Sequence, residues 1–431
     1  MKNIFLKISL FSVVIAALIT VEGCKKDYSD PRRATEDQVF SSPVGLTGVV
    51  VGLQRVYTAG RASSEYNSIT INGLVTNELF VVNTGNTAEV QLQTGGTAVD
   101  PTHTMLATYW TSNNKVIYDA DLVLANAPNL ADKNYASGLI AYASIFKALS
   151  IGNMAMYWEF VPAGTGLNVS FISRVDGFKK AVQVLNDAIA AVAANPVSAS
   201  FISSVPTGID ISNTLQALKA RYSLFAADLP AALTAANAVD LTKKSTFNFD
   251  ALTLNPVFEI ATSTNNVVQV KDSTLGLVVP LQPALSDGRV PFYTSINPTI
   301  APRFRINGFG AGAATQIPVY LPGEMTLIKA EVYARQNDST NSKTFLNAVL
   351  TKTTDPFGVN ANQPAITSVG SYANLLDQIY RNRCIELYMS GMKLEDMRRF
   401  GRPTSERKRN LMPYPFRERD NNPNTPADPP F

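Results

Sequence analysis

Very few residues in this chain have the chemistry of a catalyst. It carries one histidine, His103, and two cysteines, Cys24 and Cys384. Those counts exclude a Cys-rich zinc site and a His-pair metalloprotease helix. A Ser-His-Asp triad would have to draw on His103, and no G-x-S-x-G elbow accompanies it. The run Gly308-Phe309-Gly310-Ala311-Gly312 has neither the preceding strand nor the Lys-Ser/Thr ending of a phosphate loop, and it reads as a flexible loop. No metal site is visible and no cofactor is implied. The 34 acidic residues leave one route to catalysis open. That route is a pair of carboxylates roughly 5 to 10 Å apart across a sugar-sized cleft. Arg383 and Glu386 stand at i and i+3 on one helix. They are better suited to pair with each other, or with Asp396 and Arg398, than to form an active site.

Composition narrows the partners. Of 431 residues, 45% are hydrophobic and 16% charged, which is globular and unlike a disordered chain. The formal net charge is +3, from 37 basic and 34 acidic side chains, so there is no electrostatic footprint for nucleic acid. Arg407-Lys408-Arg409 is too short and too far from stacking aromatics to supply one.

The amino terminus reads as an export signal over residues 1–23. Lys2 and Lys7 precede an apolar run from Ile8 to Val21, which is short for a membrane span and right for a signal-peptide core. Val21, Gly23 and Cys24 match a bacterial lipoprotein box, with Glu22 departing from it. Cys24 is then the acylated residue, and several acyl chains anchor stably where one would be marginal. Residues 24–39 form a polar tether, and Cys384 is left without a disulfide partner.

Helical periodicity dominates the remainder. Leu46, Val50, Leu53 and Tyr57 make one stripe, and Leu106, Tyr109, Trp110, Ile117 and Leu124 a second. Further stripes run through Tyr142 to Leu149, Phe178 to Val192, Ile211 to Leu229, Leu321 to Val332 and Leu376 to Tyr388. Pro230 interrupts one of them. A last helix near Leu394 to Phe400 stops at Gly401, where a left-handed cap is expected. Stripes recurring in pairs predict stacked helix hairpins within one α-rich domain over 40–431, although no clean period of about 34 residues is present. Two regions break the pattern, 58–104 and 240–320. They are rich in Gly, Thr, Asn, Ser and Pro, with short strands expected near Leu79–Val82, Val257–Ile260, Val267–Val270 and Leu275–Leu281. Irregular segments this long point to a loop-rich, partly β face carrying function. The Pro-rich tail after Asn410 is expected to be non-helical and to wrap over the surface.

The carboxy-terminal third resembles a known family. Tyr380 to Gly401 is similar to the SusD/RagB signature, with Arg383, Glu386, Leu387, Gly391, Asp396, Arg398 and Gly401 in the matching places. Pro413-Tyr414-Pro415, Glu418 and Asn422-Pro423-Asn424 resemble the family's ending. Leu327 to Ala334 and Trp110 to Asn126 resemble two of its helices. The resemblance implies TPR-like helix pairs and a lipid-anchored protein of the outer membrane, facing the exterior. Such a protein captures an oligosaccharide, or a peptide, and delivers it to a SusC-like TonB-dependent transporter without catalysis.

It also implies an aromatic arc flanked by Asn and Arg. Sugar rings present apolar C–H patches that flat, rigid aromatics cover, while amides and charges set orientation. The candidates are Trp110 with Asn113 one helical turn on, and Trp158 at the end of a helix. Tyr66, Asn67 and Glu78 stand in the first irregular region, and Phe292 and Tyr293 follow Asp287-Gly288-Arg289. Two alternatives stay open: a surface glycoside hydrolase using paired carboxylates, and a helical adaptor that binds protein only.

Overall fold

The computed structural model describes residues 36–431 apart from 300, 302 and 369. The leader at 1–23 and acylated Cys24 lie outside the described residues. Of the tether, only 36–39 are described, and they begin a short helix, Glu36–Phe40. Phe40–Phe431 is one compact unit.

Stacked helix pairs are present, the first of them completed by a helix that the stripes do not predict. Helices α1 (Pro43–Thr58) and α2 (Ser64–Val75) form the first, and α3 (Thr104–Asn126) and α4 (Lys133–Tyr157) the second. Next come α5 (Arg174–Ala194) with α6 (Ile211–Phe225), the latter also packing on α7 (Leu229–Asn237). Within the second irregular region, α8 (Arg289–Tyr293) is a short turn. Helices α9 (Pro322–Arg335) and α10 (Ser339–Leu350) make another pair, covered by α11 (Tyr372–Glu386) and followed by α12 (Lys393–Arg399). Caps set the boundaries. Ser42, Asp132 and Asp210 each accept a backbone N–H from the first turn of their helix, which satisfies donors that the helix leaves orphaned.

Helix α4 is the centre. By length and composition it could cross a membrane, yet 89% of its most apolar window is buried inside the fold. It packs on α3 on one side and α5 on the other. Gly152 permits this crowding, because a Cβ there would run into the Tyr222 ring of α6.

Several local expectations are corrected. Region 58–104 is not irregular throughout: α2 and a further helix, Thr87–Thr94, lie within it. Helix α2 hides from a period count because 11 of its 12 residues are buried, leaving no polar face to alternate with an apolar one. Pro230 does not merely end α6. It sits in the first turn of α7, where its missing N–H costs nothing. Strands form at Leu79–Val81 and Val268–Val270, but Phe258–Thr262 is a π-helical turn and no strand covers Leu275–Leu281. In the tail, the Pro-free window after Pro415 forms a helix, Phe416–Asn421, and Met412 and Tyr414 are buried. Gly401 takes a φ of 62°, the left-handed cap expected there.

The strands pair across the chain rather than locally. β1 (Leu79–Val81) lies antiparallel to β5 (Val268–Val270), so the two regions singled out in the sequence meet in one face. The other pairs are β2 (Phe160–Pro162) with β3 (Phe171–Ser173), β4 (Thr246–Phe247) with β8 (Ile317–Pro318), and β6 (Thr294–Ile296) with β7 (Phe304–Ile306).

Gly152→Val should lower unfolding free energy by about 1–3 kcal/mol through overpacking against Tyr222. A urea titration followed by circular dichroism reads this directly, and an unchanged midpoint would contradict the packing.

Candidate functional site

The carboxy-terminal signature builds a buried ion network. Glu386, at the end of α11, is fully buried. Its Oε2 accepts from Arg289 Nη1 at 3.2 Å, and its Oε1 is paired with Lys352. Arg289, also fully buried, donates to both carboxylate oxygens of Asp287 at 2.9 and 2.8 Å and to Asn382 Oδ1 at 2.8 Å. Lys352 also donates to Asp355 Oδ2 at 2.8 Å, and Asp355 Oδ1 accepts the Phe357 N–H at 2.7 Å. The space beside Glu386 is so tight that a Cβ on Gly323 of α9 would collide with its carboxylate. Burial of unpaired charge is prohibitively costly, so each ion here holds the others in place.

A second cluster lies alongside. Arg383 donates to Asp396 Oδ2 at 2.9 Å, and Arg399 donates to Glu331 and to Asp396. Burial alone would raise the Glu331 carboxyl, but Arg399, Arg383 and Arg335 together hold it down to about 2. Of the pairings their spacing allows, Arg383 takes the one with Asp396, and Arg383 and Glu386 do not pair with each other. Each reaches a different partner, and Arg398 turns to Glu395.

The Glu386 network fixes two loops that carry aromatic rings. Helix α8 presents Phe292, and the loop after Lys352 presents Phe357. Between them stands Phe309. Phe292 and Phe309 are 5.3 Å apart, and Phe309 and Phe357 6.0 Å, both edge to face. All three are half-buried, so they keep contact with solvent while resting on the core. Beside them is a surface depression of about 510 Å³, lined by Gly288, Pro291, Phe292, Thr353, Gly358, Asn360 and Asn362, a size within the roughly 300–1,000 Å³ of small-molecule sites. Among the described residues the buried Asn360 Oδ1 has no partner, and Lys244 stands over the Phe357 ring at 5.3 Å. The result is an aromatic ledge with amide groups at its margin.

The other seven candidate residues are buried. Trp158 is fully buried and donates to Pro413 O at 2.9 Å. It fills the gap between α3 and the tail, stacked on Tyr109 and edge-on to Trp110. Asn113 is buried and bonds Tyr109 O at 2.7 Å. Tyr66 is fully buried within α2, and Asn67 donates to Ser63 O at 2.8 Å to tie the start of that helix. Glu78 is buried against Asn72 Nδ2 at 2.8 Å, and burial pushes its carboxyl up to about 7. Tyr293 lies beneath the ledge and donates to Glu386 O at 2.6 Å. Trp110 is 4% exposed, with its N–H given to Glu418 at 3.0 Å. It edges a second depression of about 480 Å³ beside Tyr118. Phe292 alone of the eight candidates is a half-exposed ring on a sugar-sized depression. The family-like ending proves structural, since Asn422 and Asn424 donate to Val169 O and Asn168 O and pin the β2–β3 loop.

Sequence reading missed Phe309 and Phe357, whose neighbours give no periodic signal. It also missed an inner chamber between α1, α2, α4, α6 and the loops, about 70 Å³ in volume. Glu65, Arg221 and Glu324 line it with Tyr57, Phe247 and Tyr388. Two carboxylates facing aromatics are what a glycoside hydrolase needs. Here, however, Glu324 gives both oxygens to Arg221, at 2.6 and 2.7 Å. The chamber is also far below the roughly 300 Å³ expected of a ligand pocket.

No family model matches the chain, and no curated protein matches it either. Solved structures do. NanU of B. fragilis is 11% identical, with 93% of this chain and 99% of that one covered at a TM-score of 0.66. A SusD-like carbohydrate-binding protein from Bacteroides vulgatus is 14% identical, covering 84% of each chain at 0.67. A laminarin-binding SusD-like protein is 14% identical, covering 90% and 99% at 0.65. The chain has the SusD-like fold. In this SusD-like chain the recognisable carboxy-terminal motif is spent on the ion network, not on surface chemistry.

Glu386→Ala strips Arg289 and Lys352 of a shared partner and should cost about 3–5 kcal/mol in a denaturant titration. A loss below about 1 kcal/mol would contradict the network. Acid should act through Glu331: its pKa is depressed on folding, so its contribution is full above the unfolded value of about 4.5 and disappears as pH falls towards about 2. Glu78 has the opposite sign. Its raised pKa makes the folded state less stable as pH climbs from about 4.5 to about 7, so Glu78→Gln should flatten that limb of the stability curve measured by thermal unfolding.

Proposed function

We propose that this chain is a lipid-anchored binding protein of the outer membrane surface that captures an oligosaccharide and delivers it to a SusC-like TonB-dependent transporter. A peptide is the second ligand class in this reading. The observation that carries it is the SusD-like fold over most of the chain, shared with proteins described as carbohydrate-binding. The apolar run ending at Cys24 supports export and acylation.

The ledge of Phe292, Phe309 and Phe357 is the proposed ligand platform. Sugar C–H faces would rest on the rings, and Asn360 and Asn362 would meet hydroxyl groups. Such a site holds its ligand by area and orientation and needs no reacting group, so this reading assigns no catalysis. It favours binding over the hydrolase because Glu324 is bound to Arg221. It favours binding over the adaptor because a depression of about 510 Å³ edged by Phe292 suits a small polar ligand.

Two measurements test it. Affinity purification from outer membranes through a carboxy-terminal tag, read by mass spectrometry, should recover a TonB-dependent transporter. Recovery of the lipidated protein alone would overturn the delivery role. Calorimetry against an oligosaccharide panel should find a ligand whose affinity falls about tenfold or more in Phe292→Ala and in Phe357→Ala, and not in Tyr118→Ala. The reverse pattern would move the site to the depression beside Trp110.

A further inference from the structure

The inner chamber shares Phe309 with the ledge but otherwise has a different lining. Its aromatic lining includes Tyr57, Phe247, Tyr293, Phe309 and Tyr388. Tyr57 and Phe247 are in ring contact at 5.7 Å, and Tyr293 and Tyr388 at 5.5 Å. Arg221 and Glu324 neutralise each other in a two-point ion pair. Among the described residues only the charge of Arg221 acts on the Glu65 carboxyl, and Arg221 is already paired with Glu324, so ionised Glu65 leaves the chamber with one net negative charge. Two oxygens in the lining are unpartnered among the described residues: Tyr320 OH, on a side chain 1% exposed, and Ser390 Oγ. A carboxylate, spare hydroxyl acceptors and electron-rich rings around a small space form a set that suits a compact cation and repels an anion.

We propose that this chamber binds a small organic ammonium ion of about the size of methylammonium, with Glu65 as counter-ion and Tyr320 and Ser390 as hydrogen-bond acceptors. The volume of about 70 Å³ sets the size limit. A water needs roughly 10–15 Å³ by the same measure, so the space takes a few heavy atoms and no sugar ring. The site stands apart from oligosaccharide capture, and either can fail without the other.

Occupancy should follow the ionisation of Glu65. Burial pushes this carboxyl up to about 7, opposed by Arg221. The tyrosines and the arginine facing it hold one state near neutrality. Tyr57 of α1, Tyr293 of α8 and Tyr388 after α11 are all raised well above the usual phenol range by burial. Tyr320 is raised by burial as well, and Arg221, paired with Glu324, stays cationic.

The test is calorimetric titration of the acylation-free mature chain with methylammonium chloride, and with methanol as its neutral isostere, at pH 8 and pH 6. The expected result is saturable methylammonium binding at pH 8 that weakens about tenfold at pH 6 as Glu65 takes up a proton. Methanol should give no saturable heat, and Glu65→Gln should abolish binding while retaining a cooperative thermal transition. Tyr320→Phe, which removes one acceptor and little volume, should weaken binding several-fold. The proposal is overturned by the absence of saturable heat from the wild type at both pH values, by equal affinity at pH 8 and pH 6, or by unchanged binding in Glu65→Gln.

Discussion

A single buried carboxylate organises the carboxy-terminal half of this molecule. Glu386 is sealed from water at the point where α11 ends, α9 passes and two loops converge. A charge in that position is tolerable only if it is fully paired. Arg289 and Lys352 meet that requirement from two different loops, and both return to Asp287 and Asp355 in their own segments. The rings of Phe292 and Phe357 follow from this pairing, because each sits a few residues from an ion that cannot move. The ledge is thus rigid for an electrostatic reason, although its own surface is apolar.

The low charge content acquires a meaning here. Only 16% of residues are charged, yet Glu331, Arg383, Asp396 and Glu395 are all buried in the neighbouring cluster. Buried pairs contribute little net stability compared with apolar replacements. Their effect in this chain is to fix one arrangement of α9, α11, α12 and the loops, since any slip leaves a charge unmatched. The helical half is built differently. Around α4 the contacts are apolar and aromatic, and close approach at Gly152 sets the spacing.

Much of the fold was legible in the sequence. The stripes of α3 and α5 are legible because each helix has one buried face and one wet one. Helix α2 was missed for the opposite reason, since burial on all sides erases the period on which such a reading depends. The site was less legible. Trp158 and Trp110 are aromatic candidates in the sequence, but both are interior rings whose N–H groups are absorbed by Pro413 and Glu418. Phe292 was found through its Asp-Gly-Arg turn, a local signal of real geometry. Phe309 and Phe357 reach it from 17 and 65 residues further along, and no local pattern announces such a meeting. The motif with the strongest family likeness, Arg383 to Gly401, serves internal pairing, so its recognition gave the fold and not the ligand.

A crystal structure of the chain with a bound oligosaccharide tests the ledge directly. The account predicts a sugar ring resting on Phe292 and Phe357 with its hydroxyl groups within hydrogen-bonding distance of Asn360 or Asn362. A sugar bound beside Trp110 and Tyr118, or anywhere else with the ledge unvisited, would contradict it.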